Sequence, residues 1–388
     1  MRSETEQEVV ELSQICTYRQ ERIEVDKLTT SNYISTANML PNKGGIEVAD
    51  NLPNTKTTSR FFVDDVLVSN IRPYFKKAWL ATIDGGCSND VLVMRAFDGV
   101  QASYLYYLLS SDAFFAYMTS TAKGTKMPRG DKDAIMRYTT KRLPLDVQKT
   151  IAVTLSCLDA KIELNNKINE NLEAQAQAIF KSWFVDFEPF QDGEFVESEL
   201  GALPQGWRVG KVDDIVELHD SRRVPLSSRE REGMDKIYPY YGAASLMDYV
   251  EDYIFDGVYL LLGEDGTVID DDGHPILQYV YGKFWVNNHA HVISARSAYT
   301  VEHLYVLFSN LNVHFAVTGA VQKKINQRNL KSIPIILPPK EVVAKYNTVI
   351  EPLFSQRRKL EKQNRVLSAL RDTLLPKLMS GEIEVPVG

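Results

Sequence analysis

Basic residues cluster twice in this chain, and the two clusters share a pattern. Between positions 123 and 142 stand Lys123, Lys126, Arg129, Lys132, Arg137, Lys141 and Arg142, against only Asp131 and Asp133. Between positions 319 and 331 stand Lys323, Lys324, Arg328 and Lys331, with no acidic residue. Ammonium and guanidinium groups gathered in one loop make a surface for anions, phosphates above all. Adding 195 to each number carries the string GTKM at 124–127 onto GAVQ at 319–322, so the basic loops belong to a repeat. A net charge of −7 does not by itself favour a nucleic-acid partner, but the distribution of charge matters more than the sum.

Other residues invite chemistry and answer to simpler readings. Glu264, Asp265, Asp270, Asp271 and Asp272 crowd the string LGEDGTVIDDDGH. Consecutive Asp side chains point apart and lack the alternation of a calcium loop, so a solvated acidic turn is expected and no metal. His289 and His291 alternate along a strand-like segment and share a face; an ordinary half-buried strand is expected over a base-contacting pair. No phosphate-binding loop, dinucleotide fingerprint, zinc-protease helix or nucleophile elbow is present. Three cysteines, Cys16, Cys87 and Cys157, are too few and too scattered for a disulfide framework and point to a reducing cytoplasm. Cys157 is expected to be a packing residue.

Two long helices must position these loops. Ile151, Leu155, Leu158, Ile162, Asn165, Asn169, Leu172, Ala176, Ile179 and Trp183 recur at steps of four and three. The offset of 195 yields Tyr346, Ile350, Leu353, Arg357, Leu360, Asn364, Leu367, Arg371, Leu374 and Leu378. That spacing is a coiled-coil seam. The first helix follows Pro144, with Asp146 as its expected N-cap, and spans roughly 50 Å over the seam. The second follows Pro338 and Pro339, is expected to kink or break at Pro352, and stops at Gly381. Asparagine in a seam fixes register, so Asn169 and Asn364 are expected to meet across an antiparallel pair; solvation at a frayed edge is the other reading.

Around the helices stand two mixed domains with one order of elements: strands, a helix, a basic loop, then a strand ending in Leu-Pro. The first has strands at 61–69, 79–83 and 90–95 and a helix at 100–118; the second has strands at 257–263, 276–282, 284–286 and 289–294 and a helix at 299–317. The fold class is α+β: two mixed α/β domains, each followed by a long helix, in an internal repeat whose helices are expected to cross antiparallel. The segments are 1–143, a helical spacer at 144–187, a linker at 188–204, a second domain at 205–337, a second helical spacer at 338–380 and a tail at 381–388. The start of the chain shows no signal peptide, and no apolar run is long enough to span a membrane.

The strings LDAKIELNNKINENLEAQAQAIFKSWFVDFEPF (158–190) and LEKQNRVLSALRDTLLPKLMSGEIEV (360–385) resemble the central and C-terminal conserved regions of type I restriction–modification specificity subunits. LPQGWRVGKVDDIVEL, YPYYGAASLMDYV, YIFDGVYLLLGEDG and GAVQKKINQRNLKSIPIILPP resemble that family's second target-recognition domain; the first domain matches less well. The resemblance implies two mixed α/β recognition domains separated by two long antiparallel helices, with an internal pseudo-two-fold repeat, each domain reading half of a bipartite site in double-stranded DNA. It implies a ruler of helices that docks two methyltransferase subunits, with restriction subunits joining the complex. It implies a cytoplasmic, non-catalytic chain without cofactor, with S-adenosylmethionine, ATP and magnesium held by partner subunits of an adenine-methylating, ATP-dependent endonuclease. Lys123, Lys126, Arg129, Lys132, Arg222, Arg223, Lys323, Lys324 and Arg328 are then the candidates for DNA contact, and Ile162, Asn169, Leu172, Trp183, Leu360, Asn364, Leu367 and Leu378 the spacer seam. Three alternatives stay open: a stand-alone nuclease or methyltransferase, a coiled-coil scaffold without DNA specificity, and a specificity subunit for a fused restriction–methylation enzyme.

Overall fold

The computed structural model describes residues 8–319 and 322–386. The N-terminal residues 1–7, the repeat positions Ala320 and Val321, and the last two residues of the tail lie outside them. The chain divides into two compact units, Met1–Asn165 with Lys362–Gly388, and Asn166–Glu361. Each holds one α/β domain and half of each long helix.

In the first unit a four-stranded antiparallel sheet runs in the order Cys16–Tyr18, Val91–Ala96, Val66–Ser69, Ala78–Leu80, and a second sheet in the order Arg22–Glu24, Thr57–Phe61, Gly85–Cys87, Tyr33–Ile34. The apolar run 61–69, read as one strand, is shared between the two sheets. Asp64 turns the chain at φ 70°, and the buried Asp65 carboxylate accepts from the Phe62 amide at 2.8 Å and from Arg19 Nε at 2.6 Å. The helix expected at 100–118 is two helices, Ala102–Leu109 and Asp112–Ser120, because Ser111 caps the second by accepting from the Phe114 amide.

In the second unit one six-stranded sheet runs Val216–Leu218, Ala290–Ala295, Phe255–Gly263, Leu277–Val286, Tyr238–Tyr241, Leu246–Val250. The segments at 276–282 and 284–286 form the single strand Leu277–Val286. The helix expected at 299–317 ends early, as Val301–Ser309. The linker contains a hairpin, Phe195–Ser198 paired with Gly201–Pro204, with Gly201 at φ 95° in the turn.

The long helices are Leu145–Phe184 and Lys340–Ser380. Asp146 lies inside the first turn and is not the N-cap; the Pro144 carbonyl accepts the first bond, from the Gln148 amide at 2.9 Å. Pro352 does not interrupt the second helix. It is exposed, so the carbonyl that it leaves unpaired is on the solvent side. Gly381 ends that helix at φ 71°. Cys157 is exposed rather than packed, since one helical step from Leu158 turns it to the outer face.

Within each unit the helix segments run antiparallel. In the first, Arg371 Nη1 meets Asp159 Oδ1 at 2.7 Å and the fully buried Asn165 donates to Asn364 Oδ1 at 2.8 Å. In the second, Arg357 meets Glu173 at 3.0 Å and Trp183 packs on Tyr346 with ring centroids 5.8 Å apart. Partners across such a pair are found by counting backward along one helix, not by adding a repeat offset. The asparagine that meets Asn364 is therefore Asn165, and the side-chain oxygen of Asn169 is buried without a hydrogen-bond partner. Leu360 and Leu378 are buried, while Ile162, Leu172, Trp183 and Leu367 are half-buried.

Asp159 also accepts from the Tyr107 hydroxyl at 2.7 Å, joining the first α/β domain to both helices in one network. Because both charges are largely shielded, Asp159→Asn or Arg371→Ala is expected to lower stability by about 2 kcal/mol each. Urea unfolding should show the double variant to be less than additive; simple additivity would mean that the pair is not coupled.

Candidate nucleic-acid interface

Both basic loops close in the same way. The Lys123 amide donates to the Arg129 carbonyl at 2.8 Å and the Arg129 amide returns the bond at 2.9 Å, with Gly124 at φ 94°. In the second unit the Thr318 and Lys324 amides donate to each other's carbonyls at 2.8 Å, with Gly319 at φ 87°. Each loop is fixed to the end of a central strand: the Gly130 amide donates to the Asn70 carbonyl at 3.1 Å, and the Ile325 amide to the Glu264 carbonyl at 2.9 Å. Each then enters a short helix capped by an acceptor side chain, Asp131 before Lys132–Met136 and Asn326 before Gln327–Ser332. All of these pairs differ by the repeat offset, except the anchoring strand residues, which differ by one less. Glycine at the second loop position is required because the backbone there has a conformation that side chains resist.

Side chains in the loops divide into free and engaged. Lys126, Lys132, Lys323 and Arg328 are exposed and make no ion pair among the described residues. Lys123 reaches Asp131 at 2.5 Å and Arg129 reaches Asp90 at 3.1 Å, both from exposed positions. Lys324 is paired with Glu264 at 3.2 Å. Arg222 is exposed but donates to the Ile254 carbonyl at 2.8 Å and stacks 4.6 Å over the Phe255 ring.

Arg223 departs from the sequence reading. Its side chain is only 10% exposed and donates to Glu264 at 2.7 Å, the Ala290 carbonyl at 2.6 Å and the Asp220 carbonyl at 3.0 Å. It is a structural cation that holds three chain segments together. His291 is also internal, whereas His289 is partly exposed and bonds Asp265 at 2.5 Å. Asp270, Asp271 and Asp272 do form an exposed turn, in which Asp270 accepts from the Asp272 and His274 amides. Glu264 instead joins Asp220 and His291 in a cluster whose ligand-type atoms lie within 4.8 Å of one another. Arg223 and Lys324 already occupy its carboxylates, so the cluster is an ion network rather than a vacant cation site. Burial raises Asp220, but His291, the Val292 amide and Arg223 hold it below the ordinary carboxylate range. Glu264 is likewise depressed, burial being outweighed by Arg223, His291 and Lys324.

The sequence reading missed two separate polar groups in the first unit. Arg22 donates to Thr57 and to Asn89 at 3.4 Å, Ser59 donates to Asn89 at 3.3 Å, and Arg19 and Arg60 flank the Phe62 ring at 4.5 and 4.3 Å. Arginine and asparagine are base-reading chemistry. No run of charge marks these residues, since they come from separate strands and connecting turns.

Comparison with known proteins fits this duplicated architecture. The sequence matches the family described as Type I restriction modification DNA specificity domain over residues 4–174 and again over residues 204–366. It is 29% identical over 307 residues to the type I restriction enzyme MjaIX specificity subunit of Methanocaldococcus jannaschii, covering 74% of this chain and 70% of the relative. With the type I restriction enzyme HindI specificity subunit of Haemophilus influenzae it shares 22% identity, covering 82% and 86% of the two chains. A solved S subunit of a type I restriction–modification system from M. genitalium has the same fold, with a TM-score of 0.55 over 98% of both chains at 15% identity. Two matched segments that together span most of the sequence, each ending beyond a basic loop of identical backbone wiring, place this chain in the type I restriction–modification DNA specificity family.

Proposed function

We propose that the chain selects the DNA site for a type I restriction–modification complex, each unit reading one half of a bipartite sequence. One observation carries this most directly: two loops of free basic side chains, mounted by equivalent hydrogen bonds on two different sheets. Lys126, Lys132, Lys323 and Arg328 contact phosphates and position each domain, while polar side chains of the sheets and loops read base edges. The long helices, shared by both units, limit the spacing of the half-sites.

The chain itself is the recognition component. Methyl transfer to adenine and ATP-driven cleavage belong to methyltransferase and restriction subunits, which hold S-adenosylmethionine, ATP and magnesium. No helix among the described residues is long and apolar enough to cross a membrane. A docking face for a methyltransferase lies on the outer side of the helix pair in the first unit. Val153 is 61% exposed, Leu164 51%, Val366 61% and Leu370 45%, and Cys157 and Ala160 complete the spacing on the first helix. An exposed apolar stripe at heptad spacing on paired helices is suited to two further helices from a partner.

Exchanging residues 205–337 for the same segment of a relative is expected to change one half of the methylated site and leave the other intact, read by methylation sequencing of the host genome. Change in both halves would exclude modular reading. Replacing Lys126, Lys132, Lys323 and Arg328 by alanine should weaken DNA binding by the complex and flatten its salt dependence by about 0.9 in log–log slope for each phosphate that is no longer neutralised. Arg223→Ala should instead cost about 3 kcal/mol of stability, whereas Lys323→Ala stays within about 0.5 kcal/mol. Burial pushes the Cys16 and Cys87 thiols up to about 12, leaving Cys157 as the exposed thiol. A thiol reagent should therefore label Cys157 in the isolated chain and fail to do so once the methyltransferase subunit is bound; undiminished labelling would move the docking face elsewhere.

A further inference from the structure

Arg72 has a backbone that arginine resists. Its φ is 49° and its ψ 63°, in the left-handed region. The repeat shows what that position ordinarily takes. The Arg72 amide donates to the Pro128 carbonyl at 2.8 Å, and the Gly266 amide donates to the Lys323 carbonyl at 3.0 Å. Pro128 and Lys323 differ by the repeat offset, and the adjacent bridges, Ile71 with Arg129 and Asp265 with Lys324, correspond in the same way as the loop anchors. Arg72 therefore stands where the second unit has Gly266, at φ 85°. A Cβ on Gly266 would meet nothing within 4 Å, so backbone conformation and not space favours glycine there. The first unit carries the left-handed turn with a long cationic side chain, and a strained residue of that kind persists where its side chain has a task.

That side chain has no partner inside the protein. Arg72 is half-buried, its Nε is buried without an acceptor, and its guanidinium makes no hydrogen bond or ion pair among the described residues. Two residues earlier Asn70, 7% exposed, keeps its Oδ1 buried without a donor. In the second unit the matching residue, Glu264, is paired with Arg223 and Lys324. The second unit is thus satisfied internally at the place where the first leaves a guanidinium open. Buried donors are rarely left so, and a guanidinium that bonds nothing in its own chain is available to an acceptor from outside.

The backbone around Arg72 is held on both sides. Pro73, Tyr74 and Phe75 form one turn of 3-10 helix, closed by Lys76 at φ 51°. The Asn42 amide donates to the Phe75 carbonyl at 2.8 Å and the Lys43 amide to the Lys76 carbonyl at 2.9 Å, while the bond from Arg72 to the basic loop holds the other end. Lys76 Nζ meets Asp112 at 2.9 Å. Reading a base needs a donor placed to within about half an ångström, whereas a phosphate tolerates a mobile cation. Lys126 and Lys132, free and exposed on the adjoining loop and helix, suit phosphates. Arg72, half-buried and fixed at its root, suits a base edge. Its parallel N–H donors match O6 and N7 of guanine, the base that arginine most often recognises.

We propose that Arg72 is a base-reading residue of the first unit and specifies one guanine in the half-site which that unit recognises, its guanidinium donating to O6 and N7. Gly266 gives the second unit no counterpart. This rests on the reading of each unit as the reader of one half-site.

The test uses the full chain with its methyltransferase subunit and unmethylated genomic DNA of the host as the probe. Sequencing of the methylated sites reports the preference at every position of both halves, the first half being the one left intact when residues 205–337 are exchanged. Arg72→Gly copies the second unit and relieves the backbone. It should relax one guanine of the first half by about tenfold to a hundredfold, the range for one bidentate pair, and leave the second half unchanged. It should also melt no lower than the unaltered chain. Arg72→Lys keeps the charge but not the fork, and should relax the same position. A lower melting temperature for Arg72→Gly would make Arg72 a structural cation like Arg223 and overturn the assignment. Uniformly weaker methylation with a flatter salt dependence would mark a phosphate contact and overturn it too. An unchanged motif, or a loss of preference at an A·T pair instead, would do the same. Methylation without any bipartite motif would overturn the reading of the half-sites itself, and this inference with it.

Discussion

Neither recognition domain closes its core without the long helices, and the rest of the structure depends on that sharing. In the first unit Ile151, Ala152 and Leu155 of the first helix and Leu375, Leu378 and Met379 of the second are buried in one cluster with Leu105, Leu108 and Phe114. In the second unit Ala176, Phe180 and Phe184 join Tyr346, Ile350 and Phe354 against Leu304, Phe308, Ile335 and Leu337. A fully buried side chain of this size contributes roughly 1.5–3 kcal/mol, so several such residues from each helix outweigh any single polar bond at the same surface. Helix and reader are therefore one folding unit, and the buried stripe of each helix is wider than a two-residue seam.

The repeat survives in backbone bonds more clearly than in side chains. Loop closure, loop anchor, helix cap and the final strand recur at corresponding positions, yet the strand position opposite Val68 in one unit and Leu262 in the other holds Leu92 in the first and His291 in the second. Main-chain bonds fix where a loop sits without constraining what it carries. A common mount can thus present different faces, which is what two readers of different half-sites need.

Much of this was legible in the sequence because it is local. Steps of four and three report helices, glycine before a basic run reports a tight loop, and the offset between halves reports duplication. The failures concern partners distant in sequence. Arg223 looks like its neighbour Arg222, but its acceptors lie 41 and 67 residues away, and only they show that it is internal. Pro352 looked like a break because local propensity weighs heavily in a short window; packing of Ile350 and Phe354 on either side carries the helix through it. Asn169 and Asn364 share a place in the repeat, and antiparallel geometry assigns Asn165 as the partner instead.

The helix pair also departs from its own symmetry in one respect. In each unit a tyrosine of the recognition domain, a carboxylate of the first helix and an arginine of the second form a network: Tyr107, Asp159 and Arg371 in one, Tyr305, Glu173 and Arg357 in the other. An exact two-fold repeat would exchange the helices and put the second carboxylate where Phe354 stands and its arginine where Ala176 stands. The two networks are therefore separate solutions, both with the acid on the first helix. Burial and the adjacent carboxylate push the Tyr107 phenol well above its ordinary range, so it remains a donor to Asp159. Pairing two first helices would leave Asp159 and Glu173 half-buried without a guanidinium, a cost that charged groups out of water do not recover. Polarity built into the helices thus distinguishes the first from the second where apolar seams of the same spacing would not.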